Sequence, residues 1–254
     1  FVSPNQLFPS LLAMSSVLVT GANRGIGLGI TRQLISSPSV ATVIATARDA
    51  NSAKDLKALS SPKLHIVQLE VVNEESIANA AKKVAEIVGD NGLDVLINNA
   101  GIGSKYPLHG ELNKANIIEI LDVNTIAPLL IANKFYPLLK KAASKKGSAQ
   151  IAMISSGLGS LTNSTNIGKE MPYSVYGMSK AALNMLTRRL AVEWKEDNIR
   201  ATSFCPGWVK TDMGTQAAQY TVDESTIPLT KLILSLKEEH NGLYYQHTGD
   251  PIPW

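Results

Sequence analysis

Short apolar runs rich in valine and isoleucine recur along the chain, and longer stretches with helical spacing separate most of them. Ser16–Thr20, Thr42–Ala47, Leu64–Leu69, Val95–Asn98, Gln150–Ser155, Arg200–Cys205 and Leu243–Gln246 have the length and composition of strands. Between them, Ile77, Ala81, Val84 and Val88 recur at three- and four-residue intervals, as do Leu183, Leu186, Leu190 and Trp194. Near-continuous apolar strands alternating with helices require a parallel sheet covered on both faces. Asn73 followed by Glu74 and Glu75, and Thr221 followed by Glu224, mark helix starts, while Pro38 and Pro62 fall in connections. No linker, repeat or low-complexity segment divides the sequence. The expected fold class is α/β, a single doubly wound domain with a parallel sheet of about seven strands and helices on both faces.

Composition narrows the function. With 44% hydrophobic and 18% charged residues among 254, the chain is globular rather than disordered. The charge balance, 24 basic minus 21 acidic residues or +3, is too weak and scattered for nucleic acid as the main partner. Its one basic cluster, Lys140–Lys141 with Lys145–Lys146, reads as a solvated helix end. A single cysteine, Cys205, excludes an intramolecular disulfide framework and any cysteine-rich zinc site, and suits a reducing, cytoplasmic compartment. The histidines 65, 109, 240 and 247 show no ligand spacing, so no metal is expected. No apolar run approaches the roughly 20 residues of a membrane span. Residues 1–13 contain no Lys or Arg and lack the marks of a secretory or transit signal. Met14 reads as a native start, residues 1–13 as a non-native or disordered extension, and 14–254 as one domain.

Thr20-Gly21-Ala22-Asn23-Arg24-Gly25-Ile26-Gly27 follows the first strand and opens the first helix. Glycines there let the backbone approach a pyrophosphate while the helix N-terminus offers oriented N–H groups. Three further motifs follow in order: Asn98-Asn99-Ala100-Gly101 at the end of the fourth strand, Tyr176-Gly177-Met178-Ser179-Lys180, and Pro206-Gly207 after the sixth strand. Together with the spacing G-x-x-x-G-x-G, these resemble the short-chain dehydrogenase/reductase family, and the resemblance runs from Ser15 to the C-terminal residues. Thr20–Gly27, Pro206-Gly207-Trp208-Val209-Lys210-Thr211-Asp212-Met213 and the ending Pro-Ile-Pro-Trp are most similar to its sniffer-type carbonyl reductases and C-factor-like proteins.

The resemblance implies a Rossmann domain and a nicotinamide dinucleotide. Where an acidic residue at the end of the second strand would accept the ribose hydroxyls of NAD, this chain has Ala47-Arg48, with Arg24 in the glycine loop. Two guanidiniums can grip a 2′-phosphate, so NADP(H) is the expected cofactor. Asp49 falls one residue too late for the acidic role. Glu70-Val71 stands where relatives carry Asp-Val against the adenine. The implied cofactor-binding set is Gly21, Asn23, Arg24, Gly25, Ile26, Gly27, Arg48, Glu70, Val71, Asn98, Ala100, Gly101, Tyr176, Lys180, Pro206, Gly207, Val209 and Thr211.

Tyr176 and Lys180, four apart, stack on one helix face. A general acid works best near operating pH, and a cation about 4 Å away would favour phenolate by roughly 4 kcal/mol, so Lys180 and the positive oxidised nicotinamide together are expected to lower the tyrosine pKa. The resemblance assigns Ser156, after the fifth strand, to the carbonyl oxygen, although the interval to Tyr176 is longer than the family pattern. Asn124 matches the family's helix asparagine, expected to hold a water in a proton relay. The catalytic set is therefore Asn124, Ser156, Tyr176 and Lys180, acting on a small carbonyl substrate: a quinone, aldehyde or ketone. Leu158, Met171, Trp208 and Met213 could line the site or merely pack, and a short lid before Thr221 suggests an open pocket. Apolar helices around Leu121–Leu139 and Tyr176–Trp194, which relatives pair between subunits, imply a homodimer or homotetramer. A nucleotide-binding signalling scaffold is the alternative; a sugar-nucleotide epimerase would need a larger C-terminal domain.

Overall fold

A computed structural model describes residues 15–103, 105, 108, 111–166 and 172–254; the extension 1–13, Met14, His109 and Met171 lie outside the described residues. Among them, β1 (Ser15–Val19), β2 (Val40–Ala47), β3 (Leu64–Gln68), β4 (Val95–Asn98), β5 (Ala149–Ile154), β6 (Ile199–Cys205) and β7 (Tyr244–Gln246) form one sheet. Its order is β3-β2-β1-β4-β5-β6-β7 and every pairing is parallel. Chain order reverses between β1 and β4, the point where α/β sheets open a crevice at their strands' C-terminal ends.

Helices α1 (Gly25–Ser36), α2 (Lys54–Lys57), α3 (Glu74–Val88), α4 (Lys114–Leu121), α5 (Ala127–Lys146), α6 (Ser174–Glu193) and α7 (Val222–Leu234) complete the fold. Alternation along β1 shows how both faces are filled. Val17 and Val19 join α1 and α7 residues Ile30, Leu34, Leu229 and Ile233 on one side. Leu18 turns to the other, with Val84 of α3, Phe135 and Leu139 of α5 and Leu183 of α6. Each such fully buried side chain contributes roughly 1.5–3 kcal/mol. The two helix starts legible in the sequence are built as expected. Asn73 accepts from the Ser76 N–H, and Thr221 and Glu224 form a reciprocal capping box.

Two features add to what the sequence implies. A π-helical turn, Asp122–Ile126, fuses α4 and α5 into one helix, Lys114–Lys146, which by length and composition alone could cross a membrane. Charged residues and Asn124 interrupt its sequence, so no apolar run of membrane-span length is present in it. In this fold the helix lays Ile131, Phe135 and Leu139 into the core. Three of the four lysines at its end also form ion pairs: Lys140 to Asp197 and Lys146 to Asp94 at 2.8 Å, and Lys141 to Asp90 at 2.9 Å.

Candidate active site

The turn after β1 is shaped for close approach. Gly21 (φ 64°) and Gly25 (φ 52°) adopt left-handed backbone, and a Cβ on Gly27 would lie 2.2 Å from the Gly21 carbonyl. Ala22 is buried, Asn23 is half-buried, Ile26 packs on the core, and the side chain of Arg24 is exposed. Unlike α3 and α7, α1 begins without a side-chain cap and without an acidic residue in its first turn. Its first N–H groups and the positive end of its dipole thus offer an anion site. Thr20 Oγ1 accepts the N–H groups of Asn99 and Ala100, and Asn99 Nδ2 donates to the carbonyls of Thr20 and Gly21. These bonds lock the β1 and β4 turns together. Thr20 and Asn99 were absent from the candidate set, though both sit inside its motifs. Asn98, by contrast, is buried and turned inward. Its Nδ2 donates to the Pro128 carbonyl and Met153 sulfur, leaving only its backbone toward the turn.

Ser156, Tyr176 and Lys180 converge at the C-terminal ends of β5 and β6. Ser156 Oγ accepts the Leu158 N–H, capping a short 3-10 turn, and lies close enough to the Tyr176 phenol to draw its pKa down. Lys180, 4% exposed, donates to the Ile154 carbonyl at 2.9 Å. The turn after Ser156 nests directly on α6: a Cβ on Gly159 would meet Lys180 backbone at 2.8 Å, and one on Gly177 the Leu158 carbonyl at 2.9 Å. Asn124 lies in the π turn, fully buried. Its Oδ1 accepts from Ile102 N–H, and Nδ2 donates to the Ile102 carbonyl and Ser179 Oγ. Both amide donors are therefore used by protein, and Asn124 fastens the segment after Gly101 to α6. Ser179, which also receives Thr125 Oγ1 on its carbonyl, is the third unforeseen member; the hydroxyl between Tyr176 and Lys180 is its signal in the sequence.

In the protein alone, burial dominates the electrostatics of the tyrosine and the lysine. Lys180 Nζ lies 5.7 Å from the Tyr176 ring centre. Burial pushes the phenol up to about 12, with the Ser156 hydroxyl pulling the other way. Burial also pushes the Lys180 ammonium down to about 8. Desolvation disfavours both charged forms. Cys205, buried at the end of β6, has its thiol raised by the same cause; its sulfur accepts N–H groups from Gly157 and Gly207.

The candidate phosphate-binding arginines each meet a carboxylate. Arg24 pairs with Asp212 at 3.0 Å, joining the turn after β1 to the segment after β6, and Arg48 Nε lies 3.6 Å from Glu70. Asp49 is occupied locally, accepting the Asn51 N–H at 2.8 Å, which holds its carboxyl below the usual range. Val71 packs half-buried against the core. A cleft of about 530 Å³ beside β3 and α3 is walled by Gln68, Glu70, Asn73 and Ser76, but not by Tyr176 or Lys180.

After β6, Pro206 is buried with its carbonyl bonded by Ser225, and Gly207 (φ 80°) lies tight against the Tyr220 and His247 rings. Val209 is buried, and the Thr211 methyl faces Gly25. Tyr220 N–H donates to the Trp208 carbonyl and Lys210 N–H to the Tyr220 carbonyl, closing the short lid on itself. Trp208 and Met213 are half exposed at its rim, and Leu158 is half-buried.

A doubly wound sheet with an uncapped glycine turn beside a serine–tyrosine–lysine cluster defines a dinucleotide-dependent oxidoreductase architecture. The model of the short chain dehydrogenase family matches residues 15–221, and the chain belongs to that family. Among solved structures it is similar to NADPH-bound carbonyl reductase from chicken fatty liver, with 41% identity, a TM-score of 0.89, and coverage of 95% of this chain and 99% of that one. It is likewise similar to the carbonyl reductase Sniffer of Drosophila melanogaster, with 35% identity, a TM-score of 0.89, and coverage of 95% and 100%. The C-signal protein of Myxococcus xanthus is 32% identical over 162 residues, 64% of this chain and 93% of that protein.

Proposed function

We propose that this protein is an NADP(H)-dependent carbonyl reductase acting on a quinone, aldehyde or ketone. The observation that carries this reading is the Ser156 hydroxyl beside a Tyr176 phenol that burial keeps protonated, with buried Lys180 one helical turn away. The uncapped start of α1, the close-packed Gly21–Gly27 turn and the two arginines fit a phosphorylated dinucleotide. Gly21, Asn23, Arg24, Gly25, Ile26 and Gly27 are assigned its phosphates, with Arg48 on the 2′-phosphate. Glu70 and Val71 are assigned the adenine; the backbone of Asn98, Ala100 and Gly101, together with Pro206, Gly207, Val209 and Thr211, the nicotinamide half. When bound, NADPH supplies the hydride.

The protein's part is orientation and proton supply. Ser156 holds the carbonyl oxygen, and Tyr176 gives that oxygen its phenolic proton. Lys180 takes the ribose hydroxyls and passes a proton to the tyrosine. Asn124, its side-chain donors satisfied within the protein, fixes the turn beside which a relay water sits. A phenol raised to about 12 stays protonated at neutral pH and so carries the proton the carbonyl oxygen needs, while its high pKa makes Lys180 and the bound nicotinamide necessary to ease that proton's release.

Exposed Met178, Met185 and Val192 recur every seven residues along α6, and Ile118, Ile126 and Leu129 form a second exposed stripe on the neighbouring α4–α5 helix. These stripes support a homodimer or homotetramer. The direct test is NADPH consumption against a panel of quinones, aromatic aldehydes and ketones, with Tyr176→Phe alongside. Turnover by the wild type, a loss of about 10²- to 10⁴-fold in the variant, and much poorer use of NADH are expected. Tight NADPH binding without turnover would favour the signalling-scaffold reading instead, and absence of NADPH binding would overturn the proposal.

A further inference from the structure

We infer that Glu70 is a positioning residue for the cofactor's 2′-phosphate, acting by holding Arg48 through Nε. The inference rests on the NADP(H) reading of this site. Ala47 of β2 is paired with Gln68 of β3, so the residues just beyond the two strands, Arg48 and Glu70, emerge side by side. Arg48 alone is a free surface side chain, 83% exposed, that loses rotamer freedom when it grips an anion.

Glu70 is its opposite. Its side chain is 32% exposed, its N–H donates to Ser76 Oγ at 2.9 Å, and its carbonyl accepts the Asn73 N–H at 3.1 Å. The start of α3 thereby fixes the backbone from which the carboxylate reaches Arg48, with Oε2 3.6 Å from Nε. Contact through Nε occupies the stem side of the guanidinium and leaves the four N–H groups on its two terminal nitrogens for a bidentate grip on phosphate.

Side-chain length makes this contact possible. An aspartate at position 70 is shorter by one carbon–carbon bond, about 1.5 Å, and would not reach Arg48. The Arg24–Asp212 pair lacks this asymmetry, since its side chains are 70% and 79% exposed and neither is anchored in the same way.

Charge and reach can be separated experimentally. Glu70→Asp keeps the charge and loses the reach; Glu70→Gln keeps the reach and drops the charge. Binding of adenosine 2′,5′-bisphosphate and of 5′-AMP, measured by calorimetry on the whole chain, reads out the 2′-phosphate without turnover. Wild type should prefer the bisphosphate. Glu70→Asp should lower the preference for the bisphosphate over 5′-AMP about three- to fivefold, the scale of one exposed ion pair; any change at the adenine moves both ligands alike and cancels in that ratio. Glu70→Gln, which keeps the reach but loses the ion pair, should lower the same preference by no more than Glu70→Asp does. In an Arg48→Ala background, Glu70→Asp should have no further effect on it. A preference that is unchanged or raised in Glu70→Asp, as when a loss is shared equally by 5′-AMP, overturns the role of Glu70. A wild type without preference for the bisphosphate overturns the NADP(H) reading itself, a separate failure.

Discussion

Lys180 donates to the Ile154 carbonyl at 2.9 Å, and among the described residues no carboxylate forms an ion pair with it. A buried ammonium held by a neutral carbonyl is costly, and its pKa falls from 10.5 to about 8. The charged form carries a penalty on the order of 3 kcal/mol. That penalty is fully present below pH 8 and fades as pH rises toward 10.5, because the unfolded chain then binds more protons than the folded one. Unfolding free energy, corrected for other groups with a Lys180→Met variant, should therefore rise across this window. The variant itself should be more stable at pH 7 by about 1–3 kcal/mol and inactive. Equal stability of the two proteins at pH 7 would contradict this account.

The same titration should appear in binding. If protonated Lys180 helps hold NADPH, affinity should fall about fivefold between pH 8 and 9, as the ammonium loses its proton. Fluorescence titration over that range should show the decline in wild type and a flat, weaker profile in Lys180→Met.

Ser156 meets both the carbonyl oxygen, in the proposed mechanism, and the Tyr176 phenol. Ser156→Ala should lower kcat by about 10²- to 10³-fold while leaving the NADPH Kd within about twofold. Loss of its hydroxyl also removes the one contact that draws the phenol pKa down, so the alkaline limit of activity should not move to lower pH.

A Cβ at Gly159 would strike the backbone of Lys180. Gly159→Ala should cost about 1–3 kcal/mol in stability and lower kcat/KM at least about tenfold by shifting the Ser156 turn on α6. Gly147, with φ 90° and open space around it, provides the control. Gly147→Ala should strain only its own backbone and leave kcat/KM unchanged, as thermal unfolding and steady-state kinetics on both variants would show.

Met185 is 63% exposed on α6. Met185→Glu should leave the fold and NADPH binding intact but shift the protein from dimer or tetramer to monomer in light scattering after size-exclusion chromatography. A wild type that is already monomeric would remove the oligomer proposal.

Local chemistry made much of the molecule legible in its sequence. All seven strands lie within two residues of their expected ends, because their apolar runs are bounded by turn residues a few positions away. Asn73 and Thr221 cap the helices they precede for the same reason: both partners lie within three residues. Tyr176 and Lys180 share a helix face by periodicity alone.

The tertiary structure decided what depends on distant neighbours. It turned Asn98 into the core against Pro128 and Met153, and used both amide donors of Asn124 on Ile102 and Ser179. It set Arg48 beside Glu70 and Arg24 beside Asp212. It also set how deeply Tyr176 is desolvated in the protein alone, because desolvation is set by everything packed around a group, while a four-residue spacing reports only one of its neighbours.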